Sequence, residues 1–144
     1  MRLFFQLYLL TSCFVIISSS CKSNKYTPEN PSPSAVYFGS GGGFTGAVTE
    51  YLLCENGQMF VNNSLEDKWK KLESISKKEA NELFENTLLL DWKTLELNDP
   101  GNFSYFIRLK NREVDKKIVW GGSAPPADIQ LLYTKLNLAI RLKN

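Results

Sequence analysis

The chain of 144 residues contains no histidine. That absence excludes an imidazole base, any Ser-His-Asp or Cys-His constellation, and every His-ligated metal site. Cysteine is scarce: Cys13, Cys21 and Cys54 are too few for a Cys-rich zinc site or a disulfide scaffold. Neither sign of charge dominates. Seventeen basic against 15 acidic residues leave a formal charge of +2, whereas a nucleic-acid binder gathers a strong basic surplus on one face. No nucleic-acid partner is expected, and no internal repeat is present. What remains is ordinary globular material, 43% apolar and 22% charged, of a length that suits one domain.

The first twenty residues read as an address. Arg2 supplies a positive start, Leu3 to Ile17 are largely apolar, and Ser18-Ser19-Ser20 precede Cys21. This is the pattern of a secretory signal peptide. A cysteine directly after small residues resembles the lipobox of bacterial lipoproteins. The resemblance implies that residues 1–20 are removed and that Cys21 becomes a lipidated first residue, anchoring the protein to a membrane. The rival box, Leu10-Thr11-Ser12-Cys13, fits the consensus better residue by residue, but processing there would leave Phe14 to Ile17 unburied in the mature chain. An uncut membrane helix is disfavoured, because 15 residues fall short of the roughly 20 needed to cross a bilayer. Plain cleavage and secretion is the other alternative. The expected location is the bacterial cell envelope, on the periplasmic or outer side.

After Cys21 the composition changes. Lys22 to Ser34 carry Pro28, Pro31 and Pro33, no large aliphatic residue, and Tyr26 as the one aromatic. Such a stretch buries too little surface to offset its ordering entropy. Residues 21–34 are therefore expected to form a flexible tether, and residues 35–144 a single domain.

Within that domain Ala35 to Phe38 and Val48 to Cys54 read as strands. Asn56-Gly57 signals a hairpin that returns through Gln58 to Val61. Residues 62–75 fit either a loop or an irregular helix. Ser76-Lys77-Lys78-Glu79 spells a capping box, in which Ser and Glu each satisfy an otherwise unpaired backbone N–H. Ala80, Leu83, Phe84, Thr87 and Leu88 then follow at helical spacing. Asn98 to Gly101 form a turn cluster. Phe103, Tyr105, Ile107 and Leu109 alternate along a strand, and Lys117 to Trp120 supply its hairpin partner. A final helix from about Ala127 carries Ile129, Leu132, Tyr133, Leu136 and Ile140 inward. The expected fold class is α+β, a mainly antiparallel sheet of about four strands with two helices packed on one face.

Chemistry-bearing features are few. Gly41-Gly42-Gly43-Phe44-Thr45-Gly46 satisfies G-x-G-x-x-G, but a strand follows it where a dinucleotide site needs a helix, and no Lys follows for a phosphate loop. No cofactor and no metal are expected. Cys54 lacks the base that would activate a thiol and reads as a small buried apolar residue. Trp69, Trp92 and Trp120 suit either a core or a ligand groove. Glu50, Glu55, Asp91, Asp99 and other carboxylates that could converge in space keep a histidine-independent carboxylate hydrolase open as an alternative.

The ordering from Gly41 onward resembles small bacterial proteins of the emfourin type, some of which inhibit thermolysin-like metalloproteases. The similarity lies in Gly42-Gly43-Phe44-x-Gly46, a helix, a Tyr-Phe-Ile strand, a Lys-Ile-Val strand, a Pro-containing loop and a leucine-rich terminal helix. It implies a protein-binding role, with protease inhibition as its specific form, and carries over no inhibitory residue. The export signal, the tether and segment 62–75 depart from that pattern. The expected function is thus a membrane-anchored, non-catalytic binding module, not an enzyme. Its expected partner is a protein, met by loops 39–46 and 121–126 and specifically by Gly41, Gly42, Gly43, Phe44, Thr45, Gly46, Trp120, Gly121 and Gly122. Pairing of strands 48–54 and 117–120 would bring the two loops to one end of the sheet. The alternative module binds a small ligand or glycan through exposed tryptophans.

Overall fold

The computed structural model describes residues 25–142. The leader, Cys13 and Cys21 lie outside the described residues. In chain order the elements are β1 (Ala35–Gly42), β2 (Val48–Cys54), β3 (Met59–Asn63), β4 (Lys70–Lys71), α1 (Lys77–Leu88), β5 (Asn98–Asp99), β6 (Phe103–Lys110), β7 (Asp115–Trp120) and α2 (Ala127–Arg141).

The fold is α+β, but the sheet is larger than expected. It has seven strands in the order β4-β3-β2-β1-β6-β7-β5. It is also mixed, because β5 runs parallel to β7 while the other neighbours are antiparallel. The expectation of about four strands failed for a physical reason. β4 and β5 are two residues each, too short to show any alternation, and both exist only because a neighbouring strand supplies hydrogen-bond partners. Segment 62–75 accordingly is neither free loop nor helix. It turns at 64–67 and runs back along β3, with Leu72 N–H on the Met59 carbonyl at 2.9 Å and Ile75 N–H on the Gly57 carbonyl at 3.0 Å.

Alternation sorts each strand into two faces. Val36 and Phe38 of β1, Leu53 of β2, Ile107 and Leu109 of β6, and Ile118 and Trp120 of β7 form one core with both helices. The helices join it through Ala80, Leu83 and Phe84 of α1 and Ile129, Leu132, Leu136 and Ile140 of α2. Each fully buried aliphatic or aromatic side chain contributes about 1.5–3 kcal/mol. The capping box forms as read: Ser76 Oγ accepts from Glu79 N–H at 3.2 Å, and the Glu79 carboxylate accepts from Ser76 N–H at 2.9 Å. Leu88, placed by spacing on the inward stripe, is exposed instead. Trp92 seals the space after α1, donating its indole N–H to the Thr87 carbonyl at 2.7 Å.

The other face is covered in its lower half. Ala35, Leu52, Cys54 and Phe60 form a second cluster, packed against Tyr26, Tyr37 and Trp69. Residues 25–34, expected to hang free, are laid against this end of the sheet. Tyr26 N–H bonds the Gln58 side-chain carbonyl at 2.8 Å. Ser32 is buried and accepts from Glu55 N–H at 3.0 Å. Aliphatic content alone therefore misjudged the segment: its polar groups are matched to the β2–β3 turn.

Candidate functional site

β1 and β7 run toward one end of the sheet, here the upper end, while β2 leaves it and β6 starts from it. Loops 43–47 and 121–126 therefore share that end, although the pairing expected to bring them there does not occur. β2 never touches β7; β1 and β6 lie between them.

A third loop, 100–102, fills the gap and laces the other two together through backbone. Gly43 N–H donates to the Asn102 carbonyl at 2.7 Å, and Gly122 N–H to the Asp99 carbonyl at 3.0 Å. Ser123 Oγ donates to the Asp99 carboxylate. Two glycines are required by this closeness. Gly42 has φ of 121°, and a Cβ there would stand 2.4 Å from the Asn102 carbonyl oxygen. A Cβ on Gly121 would stand 2.3 Å from the carbonyl oxygen of Phe103. The upper end is thus a rim of close-packed main chain, the arrangement glycine permits and other residues do not.

From this rim Phe44 projects, fully exposed. Thr45 steadies the loop, its hydroxyl accepting from Ala47 N–H at 3.3 Å. Gly41 and Gly42 end β1, while Gly43, Phe44, Thr45 and Gly46 are exposed. Gly121 and Gly122 begin the second loop. Trp120 is the exception among the residues assigned to partner contact. It is only 3% exposed, stacks on Tyr105 at 5.9 Å and meets Tyr133 edge-on at 5.2 Å. It supports the rim from beneath and offers no surface. Its place at the end of an apolar strand, before glycines, suits either role on sequence alone.

Sequence reasoning missed Asn102 and Phe103, and it placed Asp99 among candidate carboxylates and Ser123 within loop 121–126 without linking the two. The Asn98–Gly101 turn cluster was visible, but nothing local tells that it wedges between the two glycine loops. Phe103 and Tyr105 are partly exposed beside the rim and contact each other edge-on at 5.4 Å.

Below them, an open cleft of about 370 Å³ separates α2 from the sheet, lined by Ser40, Tyr105, Gln130, Tyr133, Asn137 and Arg141 among others. Tyr133 donates its hydroxyl to the Gly39 carbonyl at 3.1 Å, pinning α2 to β1. Burial raises the pKa of this phenol, and hydrogen bonds to Asn137 and Ser40 oppose the rise. It therefore stays a neutral donor.

The remaining candidates sort out by position. Trp92 is 4% exposed and Trp69 packs on the second cluster with Tyr26, so the three tryptophans do not converge on a groove. Cys54 is buried, and that burial raises its thiol pKa over the opposing hydrogen bonds from Ser32. The four carboxylates are scattered. Glu50 lies on the face away from the helices, in register with Gly39. Glu55 belongs to the β2–β3 turn, Asp91 is held by Thr94 at 2.8 Å, and Asp99 by Ser123. Burial raises the Glu50 pKa, against the pull of Lys117 and Arg108.

No family model matches the chain, and no curated protein matches it in sequence. The emfourin-type likeness thus rests on element order and on Gly42-Gly43-Phe44-x-Gly46 alone.

Proposed function

We propose that the chain is a bacterial lipoprotein, anchored through Cys21 in the cell envelope, whose domain binds another protein through the glycine-rich rim and performs no chemistry of its own. The carrying observation is the rim itself. An aromatic side chain stands fully exposed at Phe44 on a loop whose main chain is closed by Gly42 N–H to the Ala47 carbonyl and tied to loop 100–102 by Gly43 N–H to the Asn102 carbonyl. A preordered loop loses little entropy on binding, and an exposed aromatic anchor is the residue type that dominates protein interfaces. Inhibition of a metalloprotease is the narrower form of this reading, supported by the emfourin-type element order. The tryptophan-based glycan reading loses its support with Trp92 and Trp120 buried, and the hydrolase reading with its carboxylates dispersed.

The test is a photo-crosslinking amino acid placed at Phe44 in the full chain, expressed in cells and irradiated. A discrete protein adduct from position 44, with none from position 88 on the exposed side of α1, is the expected result. Phe44→Ala should weaken capture of that partner by at least about tenfold, the 1.4 kcal/mol scale of a modest hot spot, with folding stability unchanged within about 0.5 kcal/mol. No adduct at position 44, or hydrolytic turnover by the purified protein, overturns the proposal.

A further inference from the structure

The way residues 25–34 are held bears on how the protein meets a membrane. This inference rests on lipidation of Cys21 and goes beyond it. Four residues, Lys22 to Lys25, separate Cys21 from Tyr26. Five peptide steps reach at most about 18 Å. The chain is attached to the domain from Tyr26 onward, through its bond to Gln58 at the lower end of the sheet and its packing beside Trp69 and Phe60. The rim lies at the other end of β1, eight residues away, or about 26 Å at strand rise.

We propose that this leash is too short to let the domain invert, so that the lower half of the helix-free face meets the lipid headgroups and the rim faces away from the membrane. An inverted domain would place its attachment point about 26 Å above the surface, about one and a half times the reach of the leash. The orientations left keep the lower end, with its attachment point, at the surface. Side chains around the attachment point suit a headgroup layer. Tyr26 and Trp69 are half-buried aromatics on that face, and Lys71 shares the face, in register with Phe60. Trp and Tyr favour the membrane interface, and each surface Lys near anionic lipid contributes about 1 kcal/mol. Glu29 and Glu55 stand at the same end, and Lys70 is paired with Glu66 at 2.5 Å. Net charge is therefore not the cause; the short leash is. Its consequence is a partner that approaches from the aqueous side rather than within the membrane plane.

The experiment uses the full chain expressed in cells and the processed protein purified from their membranes. Single labels are placed through Phe44→Cys and Lys71→Cys, Cys54 being buried, and the protein is reconstituted into phosphatidylcholine–phosphatidylglycerol vesicles carrying doxyl lipids. Quenching should be severalfold stronger at position 71 than at 44. Inserting about twelve Gly/Ser residues after Cys21, which extends the reach to about 60 Å, should bring the two values together. Mass spectrometry of the amino terminus separates the two possible failures. An unmodified Cys21 overturns the anchor and the orientation with it. A lipidated Cys21 with equal quenching at both positions, or with a difference that survives the insertion, overturns the orientation alone.

Discussion

The two ends of this sheet differ in the balance of main-chain and side-chain contacts that hold them. At the upper end, main chain meets main chain: Gly43 to Asn102, Gly101 beside Gly121, Gly122 to Asp99. At the lower end, main-chain bonds such as Ile75 N–H to the Gly57 carbonyl are joined by a larger set of side-chain bonds. Ser32 caps Glu55 N–H, Gln58 receives Tyr26 N–H, Asn111 accepts from Glu113 and Val114 N–H at 2.8 and 2.7 Å, and Arg108 grips Asp115 with two bonds of 2.6 and 2.8 Å. Close backbone contact leaves no room for adjustment, whereas a network of side chains distributes its strength over many replaceable bonds. Under the proposed reading, the rim is the recognition end and the lower end is the attachment end.

The upper end is most sensitive at Gly42. Gly42→Ala should cost about 2–3 kcal/mol, because it sets a side chain at an unfavourable φ against the Asn102 carbonyl. Gly121→Ala should follow at about 1–3 kcal/mol by crowding Phe103. Denaturant titration of the purified protein reads both, and a loss below about 0.5 kcal/mol for either would show that the rim relaxes freely. At the lower end Ser32→Ala removes one acceptor from Glu55 N–H and should cost about 1–2 kcal/mol. It should also expose residues 25–34 to limited proteolysis, while the rim variants should not.

Asp115→Asn should cost least, below about 1 kcal/mol, since its pair with Arg108 is partly exposed and screened. Its pH dependence sharpens the contrast. The hydrogen bond from Arg108, aided by the charges of Arg108 and Lys110, holds the Asp115 carboxyl below its usual range despite some burial. A depressed folded pKa means stability that is present above the ordinary carboxylate value and lost as pH falls through the folded one. The difference between Asp115→Asn and the parent should therefore shrink below about pH 4. Denaturation midpoints of the Gly42→Ala variant, which carries no titrating group, should keep a constant offset from the parent across the same range.

Much of the fold was legible because its signals are local. The Ser76–Glu79 cap, the alternation from Phe103 to Leu109 and the α2 stripe from Ile129 to Ile140 each lie within one element, and the physics that forms them acts over a few residues. β4 and β5 were illegible because two-residue strands have no period. Residues 25–34 were misjudged for a related reason: Ser32 and Tyr26 gain partners 23 and 32 positions away. The candidate site divides in the same way. Its glycines were plain in the sequence, Trp120 was not separable from them, and Asn102 and the Asp99–Ser123 link became part of it only once β6 lay beside β1.

The amino-acid sequence by itself determined which residues alternate, where the helices begin, that two glycine-rich turns exist, and that no imidazole chemistry is available, because these follow from residue identity and short-range geometry. Tertiary structure alone decided that the two turns meet over a third, that Trp120 points inward, and that the proline-containing segment is pinned at the far end. Those outcomes depend on strand order and register, which are set by which apolar faces are buried together across the chain.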